Sequence, residues 1–302
     1  MWSLTACFQF FFLLFTIASQ VIPASTAALP SHNNIIAKRQ APSRWFYYGV
    51  TPTELTDIIE ENNARITQLR VIDPNTPTFA VSLVENTGTF ETGWWWWWGQ
   101  EGSDINNLLS GTPAKRIISL DPYVTSSGQT LFAIVMVENE GANSKSWWYY
   151  YGYDGATLGS FLSGKRLIEV RPYMESGNKV FAAVAVENSG SDSTCWEWWY
   201  GESIQFITSQ ISSPSACSGS MRVTNLAPDP TGGWVAILTQ QSVDAWWWWF
   251  GISPATVLSN LGNDKDANGY GSRLIDFSPY NSGNSYTSVE ISNESPPQDC
   301  EI

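Results

Sequence analysis

The chain has 302 residues, with 15 Lys+Arg against 28 Asp+Glu for a net charge of −13. That acidity repels phosphate backbones and anionic lipid surfaces, so nucleic acid and membrane surfaces are excluded as partners. With 43% hydrophobic and 14% charged residues, the chain can bury a large core, and disorder over most of its length is excluded as well.

At the N-terminus, the apolar stretch from Phe8 to Ile17 and the small-residue run Ala24 to Ala28 read as a secretory signal peptide over 1–28. The stretch is shorter than the about 20 residues a spanning helix needs, which weighs against a membrane anchor. Lys38-Arg39 before Gln40 has the form of a dibasic processing site of the fungal secretory type, giving a propeptide over 29–39. Loss of Lys38 and Arg39, with no acid lost, takes the charge from −13 to −15. It also removes His32, the only histidine. A mature chain without histidine cannot build a Ser-His-Asp or Cys-His site. Only Cys195, Cys217 and Cys300 remain, too few for the usual zinc sites. Cys195 and Cys217 flank one helical segment and are the expected disulfide. Cys300, in a tail over 294–302, is then free or links two chains.

Five repeats of about 50 residues fill 40–293. An aromatic run ending in Gly recurs at Trp45–Gly49, Trp94–Gly99, Trp147–Gly152, Trp196–Gly201 and Trp246–Gly251. An Arg-apolar strand reaches a Pro six residues on in four repeats: Arg116 to Pro122, Arg166 to Pro172, Arg222 to Pro228 and Arg273 to Pro279. In the first repeat Gln68 takes the Arg position before Pro74. A third column ends in Glu-Asn at Glu85-Asn86, Glu138-Asn139 and Glu187-Asn188, degrading to Gln240-Gln241 and Ser292-Asn293. Their β-rich composition and Gly/Ser/Asn borders predict strands. Apolar spacing after each Gly predicts short helices over Thr53–Asn62, Asp104–Ser110, Ala156–Ser163 and Pro254–Leu261.

Each unit thus reads as Arg-Pro strand, Glu-Asn strand, aromatic strand and helix, with the three strands in an antiparallel meander. The aromatic strands are apolar on both faces and must be covered on both. The expected fold is mainly β with short helices: a five-bladed β-propeller-like ring whose isolated N-terminal strand, Trp45 to Gly49, completes the last blade. An open solenoid is the alternative.

The aromatic columns serve either to pack blades together, with the repeated Arg stacked on the rings, or to bind a ligand. The column Trp45, Trp95, Trp148, Glu197 and Trp247 contains one acid, which predicts partial exposure and makes it the candidate surface for a sugar face or a peptide. The Glu-Asn pairs invite a glycosidase reading; their recurrence in several repeats fits turn-forming residues instead. Asp264, Asp266 and Asn268, before Gly269, match the opening of a calcium loop, although the closing acid falls one place late at Asp276. Either calcium or a plain polar insertion accounts for this loop. Ser176 and Lys179 have the Ser-x-x-Lys spacing of β-lactamase nucleophiles but sit on a hairpin turn without partner motifs. The sequon Asn293-Glu-Ser295 is followed by Pro296, which disfavours glycosylation.

The aromatic-Gly columns with their Arg-apolar-Pro and Glu-Asn strands resemble the tryptophan-rich N-terminal domain of fungal polyglycine hydrolases, secreted serine proteases that attack linkers in plant chitinases. The resemblance covers about 45–293 and implies an extracellular fungal setting and a propeller-like fold. That family's nucleophile lies in a C-terminal β-lactamase-like domain with no counterpart in this sequence. No catalytic residue carries over. The expected function is a secreted, non-enzymatic recognition module for an extracellular glycan or host protein. The alternatives are a hydrolase using carboxylates in the ring and an interaction protein dimerising through Cys300.

Overall fold

The computed structural model describes residues 43–88, 91–141, 144–190, 193–293 and 295. The expected signal peptide, the Lys38-Arg39 site and Cys300 lie outside them. In chain order, the first repeat runs β1 (Arg44–Val50), α1 (Pro52–Asn62), β2 (Ala64–Asp73) and β3 (Thr78–Glu85). The second is β4 (Trp94–Gln100), α2 (Ile105–Leu109), β5 (Lys115–Val124) and β6 (Thr130–Glu138). The third is β7 (Trp147–Tyr153), α3 (Gly155–Ser160), β8 (Lys165–Glu175) and β9 (Asn178–Glu187). The fourth is β10 (Trp196–Glu202), α4 (Ile204–Ser212), β11 (Arg222–Pro228) and β12 (Trp234–Thr239). The fifth is β13 (Trp246–Ile252), α5 (Pro254–Asn263), β14 (Ser272–Tyr280) and β15 (Ser285–Ser292).

The glycine column has a backbone cause. Gly49, Gly99, Gly152, Gly201 and Gly251 all adopt φ between 68° and 75°, at a register shift where the aromatic strand leaves its partner. Side chains with a Cβ rarely tolerate that conformation. In four repeats the residue two positions later caps a helix. Thr51, Asp154, Ser203 and Ser253 cap α1, α3, α4 and α5 by accepting from the backbone N–H three residues on.

Each repeat closes its own three-stranded antiparallel sheet, with the Glu-Asn strand in the middle and the aromatic and Arg strands on its two sides. This corrects the expected strand order. β1 pairs with β3 of its own repeat, Trp45 opposite Leu83, and β15 already has its aromatic partner in β13, Trp247 opposite Glu290. The leading strand therefore does not complete the last sheet. A periodic sequence fixes what a repeat contains but not where it begins. The helix after each aromatic strand carries the chain past the strand's neighbour to the far edge, and the following hairpin folds back into the gap. Register also reassigns the first Arg: Arg65 lies opposite Val84 as Arg116 lies opposite Val137, so Arg65, not Gln68, belongs to the column.

Neighbouring sheets meet through their Arg strands in a closed order. β2 contacts β5, β5 contacts β8, β8 contacts β11, β11 contacts β14, and β14 returns to β2. A second circuit runs through the rings. An aromatic residue stands within the first four positions of each middle strand, and it meets the aromatic strand of the next repeat edge-on. Phe79 lies 6.2 Å from Trp96, Phe132 5.4 Å from Tyr151, Phe181 5.3 Å from Tyr200 and Trp234 5.9 Å from Phe250. Tyr286 of the last repeat closes it on Phe46 of the first, at 6.1 Å. T-shaped contacts of this kind add about 0.5–1.5 kcal/mol each beyond the area they bury. The first sheet thus reaches the fifth by packing faces, not by exchanging a strand.

Candidate recognition surface

Alternation along each aromatic strand gives its two faces different work. The last ring before Gly and the ring two before it turn toward the preceding repeat and form the circuit just described. The other two positions face the strand's own helix side. There Tyr150 stacks on Phe161 at 5.5 Å and Trp199 meets Phe206 at 5.0 Å. The expected ligand column lies on this second face. Trp45, Trp95, Trp148, Glu197 and Trp247 hold equivalent registers, opposite Leu83, Met136, Ala185, Leu238 and Glu290. The structure places one on each sheet and does not gather them into one site.

Exposure within that column is uneven. Trp148 is exposed, while Trp45, Trp95 and Trp247 are half-buried. Glu197 is 7% exposed, so the acid that suggested an open groove is instead buried. Its Oε1 accepts from the backbone N–H of Cys217 at 3.1 Å and of Ala216, and its Oε2 accepts from Trp199 Nε1 at 3.3 Å. It fastens the loop carrying Cys217, which the expected disulfide also holds: Cys195 and Cys217 are bonded, with Cα atoms 5.8 Å apart.

Lysines supply cations over several of these rings. Lys165 Nζ lies 4.4 Å above Trp148 and donates to Tyr150 OH at 2.9 Å, and Lys115 Nζ lies 5.1 Å from Trp95. The repeated Arg makes strand-end hydrogen bonds: Arg166 donates to Glu187 O, Arg222 to Gln241 O and Arg273 to Ser292 O. The Glu-Asn pairs are turn formers, as expected. Asn86, Asn139 and Asn188 each clasp the residue six positions on, donating to its carbonyl and accepting from its N–H.

Apart from Trp148, the exposed rings fall elsewhere on the same strands. Trp98 (39%), Tyr200 (39%) and Phe250 (44%) all occupy the last position before Gly, joined by Tyr153 and Trp249 near the same ends. Single exposed apolar residues mean little, but rings repeated at one register form a patterned surface.

The Arg strands hold a feature that sequence reasoning missed. Three residues after the repeated Arg stands a polar side chain in every repeat: Gln68, Ser119, Glu169, Asn225 and Asp276, all buried and each following a bulge. Four of them accept a backbone N–H from the preceding repeat: Leu69 to Ser119, Leu120 to Glu169, Val170 to Asn225 and Leu226 to Asp276. Recurrence of a polar residue within an apolar strand was the available signal. Two guanidiniums complete the centre. Arg70 bonds Phe277 O at 3.0 Å, Ser119 Oγ at 2.7 Å, Glu169 at 2.9 Å and Asp276 at 3.1 Å, and also Gln68. Arg171 bonds Glu169 at 3.1 Å, and Asp276 and Ser278. Every carboxylate oxygen of Glu169 and Asp276 accepts from a guanidinium or a backbone N–H. Beside them Asp121 accepts from Val71 N at 2.9 Å, and burial, opposed by Arg70, pushes its carboxyl up to about 6.

The calcium-like loop is organised from within. Asp266 accepts from Asn268 N at 2.8 Å, Tyr270 N at 3.0 Å and Ser292 Oγ at 2.7 Å, while Asp264 accepts from Trp249 Nε1. Donors on both oxygens of Asp266 account for the loop's shape without a cation. Among the described residues no group of three His, Cys, Asp or Glu side chains is placed to hold a metal. Lys179, of the Ser-x-x-Lys spacing, pairs with Asp229 of the next repeat at 2.8 Å. The sequon Asn293 is 8% exposed, which leaves its amide inaccessible to a glycan. Among the described residues no helix is long and apolar enough to cross a membrane. No protein-family model and no curated protein matches the chain, so its functional reading rests on this geometry.

Proposed function

We propose that the chain is a secreted, non-catalytic recognition module whose five sheets form a propeller-like ring, binding an extracellular glycan or protein through aromatic strand ends. The observation that carries this reading is the register of the exposed rings: Trp98, Tyr200 and Phe250 occupy one repeated position and stay exposed although each makes an edge contact with the preceding repeat. Flat rings with an accessible face stack on sugar faces or on apolar side chains. The closed order of Arg-strand contacts supports the ring. The saturated state of Glu169 and Asp276 argues against the rival hydrolase, because a general acid or base needs access to substrate. Resemblance to the N-terminal domain of polyglycine hydrolases supports a fungal, extracellular setting in which the module acts at a host surface.

The test is binding to plant and fungal wall polymers and to apoplastic proteins, with and without calcium. Trp98→Ala and Phe250→Ala should each weaken capture at least tenfold with an unchanged circular dichroism spectrum, and Glu187→Gln should leave it intact. Turnover of a polysaccharide or peptide by the purified chain would overturn the reading.

A further inference from the structure

The aromatic strands have a second chemical resource, their backbone. Each is the terminal strand of a three-stranded sheet. In β4 the pairing with β6 fixes which groups are spent. Glu138 N bonds Gly93 O at 2.7 Å, so by alternation the backbones of Gly93, Trp95 and Trp97 face β6. Those of Trp94 and Trp96 turn to the open edge, as does the N–H of Trp98, whose carbonyl already accepts from Gln100 Nε2 at 3.0 Å. Among the described residues β4 pairs only with β6, and no backbone hydrogen bond joins Trp94 or Trp96 to any other element. Edge strands are commonly guarded by Lys, Pro or an inward charge. The segment Trp94–Gln100 contains none of these.

A shallow depression of about 420 Å³ adjoins the start of this strand, lined by Ile59, Glu60, Asn63, Thr87, Glu91 and Trp94. It places two carboxylates beside an indole, a setting for a Lys or Arg side chain. The net charge of −13 opposes association with a second copy and favours a basic partner.

We infer that the open edge of Trp94–Trp98 binds an extended, basic polypeptide segment of another protein by strand addition, with a cationic side chain seated between Glu60, Glu91 and Trp94. Main-chain hydrogen bonds supply the affinity, and the flanking rings and carboxylates select the side chains. This narrows the recognition reading to a protein partner at one strand and rests on it only for the role of the surface.

The experiment uses the full chain and a fluorescein-labelled seven-residue peptide of alternating Lys and Val. A second version is N-methylated at its three central residues, and a third replaces Lys by Glu. The first peptide should bind and slow amide hydrogen exchange at Trp94, Trp96 and Trp98. Methylation should weaken binding at least tenfold at equal charge, and the Glu version should not bind. Glu60→Gln with Glu91→Gln should weaken the basic peptide several-fold. Equal affinity for the methylated peptide, absence of binding by the unmodified one, or protection elsewhere in the chain overturns the inference. Self-association in sedimentation without peptide would assign the edge to a second copy instead. Glycan capture through Trp98 and Phe250 is unaffected by any of these failures, so the two readings fail separately.

Discussion

At the residue scale, the repeats are held by positions where a single atom decides the fit. Gly155 begins α3, and a Cβ there would stand 2.4 Å from the ring of Tyr200 in the next repeat. Its φ is not in the left-handed region, so the constraint is steric and arises from the neighbour. Gly155→Ala should destabilise by about 1–3 kcal/mol in urea unfolding, and Tyr200→Leu should recover much of that loss in the double variant. Glu290 is a different exception. Equivalent positions hold Leu83, Met136, Ala185 and Leu238, yet this carboxyl is fully buried, with Ser272 Oγ at 2.6 Å and Ser288 Oγ at 3.0 Å. Burial pushes it up to about 7, with the nearby Asp264 adding to the shift. A raised acid means that the folded state holds the proton more tightly than the unfolded chain, so this group's contribution is greatest below about pH 4 and declines as pH rises toward 7. Asp121 works in the same direction, declining toward about 6. The melting temperature should therefore fall between pH 5 and pH 8. Glu290→Gln should flatten that slope, raising the midpoint at pH 8 and leaving it nearly unchanged at pH 5.

At the scale of single elements, the aromatic strand, its glycine and the capped helix form a unit that sequence spacing already implied. The fourth repeat adds a local clamp. Between α4 and β11 the chain makes an excursion held by the Cys195–Cys217 bond and by the buried carboxylate of Glu197. Replacing Glu197 by Ala strands the N–H groups of Ala216 and Cys217, at about 1–3 kcal/mol for a buried donor left unpaired. The expected outcome is lower stability together with faster reduction of the disulfide by dithiothreitol, measured as free thiol against time. Preserved reduction kinetics would show that the disulfide alone holds the loop.

At the scale of the whole chain, the centre is ionic while the periphery is aromatic. Arg70 touches groups from the first, second, third and fifth repeats, through Gln68, Ser119, Glu169 and Asp276. Buried ion pairs often stabilise little in net terms, but breaking one leaves an uncompensated charge. Arg70→Met should cost about 3–5 kcal/mol at pH 7. A variant as stable as the parent at pH 7 would show that the sheets are joined by their rings alone.

Composition and periodicity by themselves determined the number of repeats, the strand and helix types and the glycine turns, because each follows from local backbone or side-chain chemistry; they pointed to the Glu-Asn turns and to the Cys195–Cys217 pair, whose bonding the structure decided. Tertiary structure decided the rest. Which aromatic strand joins which sheet depends on the path of the helix, and a cyclic pattern reads the same from any starting point. Burial of Glu197 depends on a loop 19 residues away. The five polar residues from Gln68 to Asp276 acquire meaning only when strands about 50 residues apart bring their edges together, since a side chain that caps a neighbour's backbone cannot be told in one strand from a polar residue facing water.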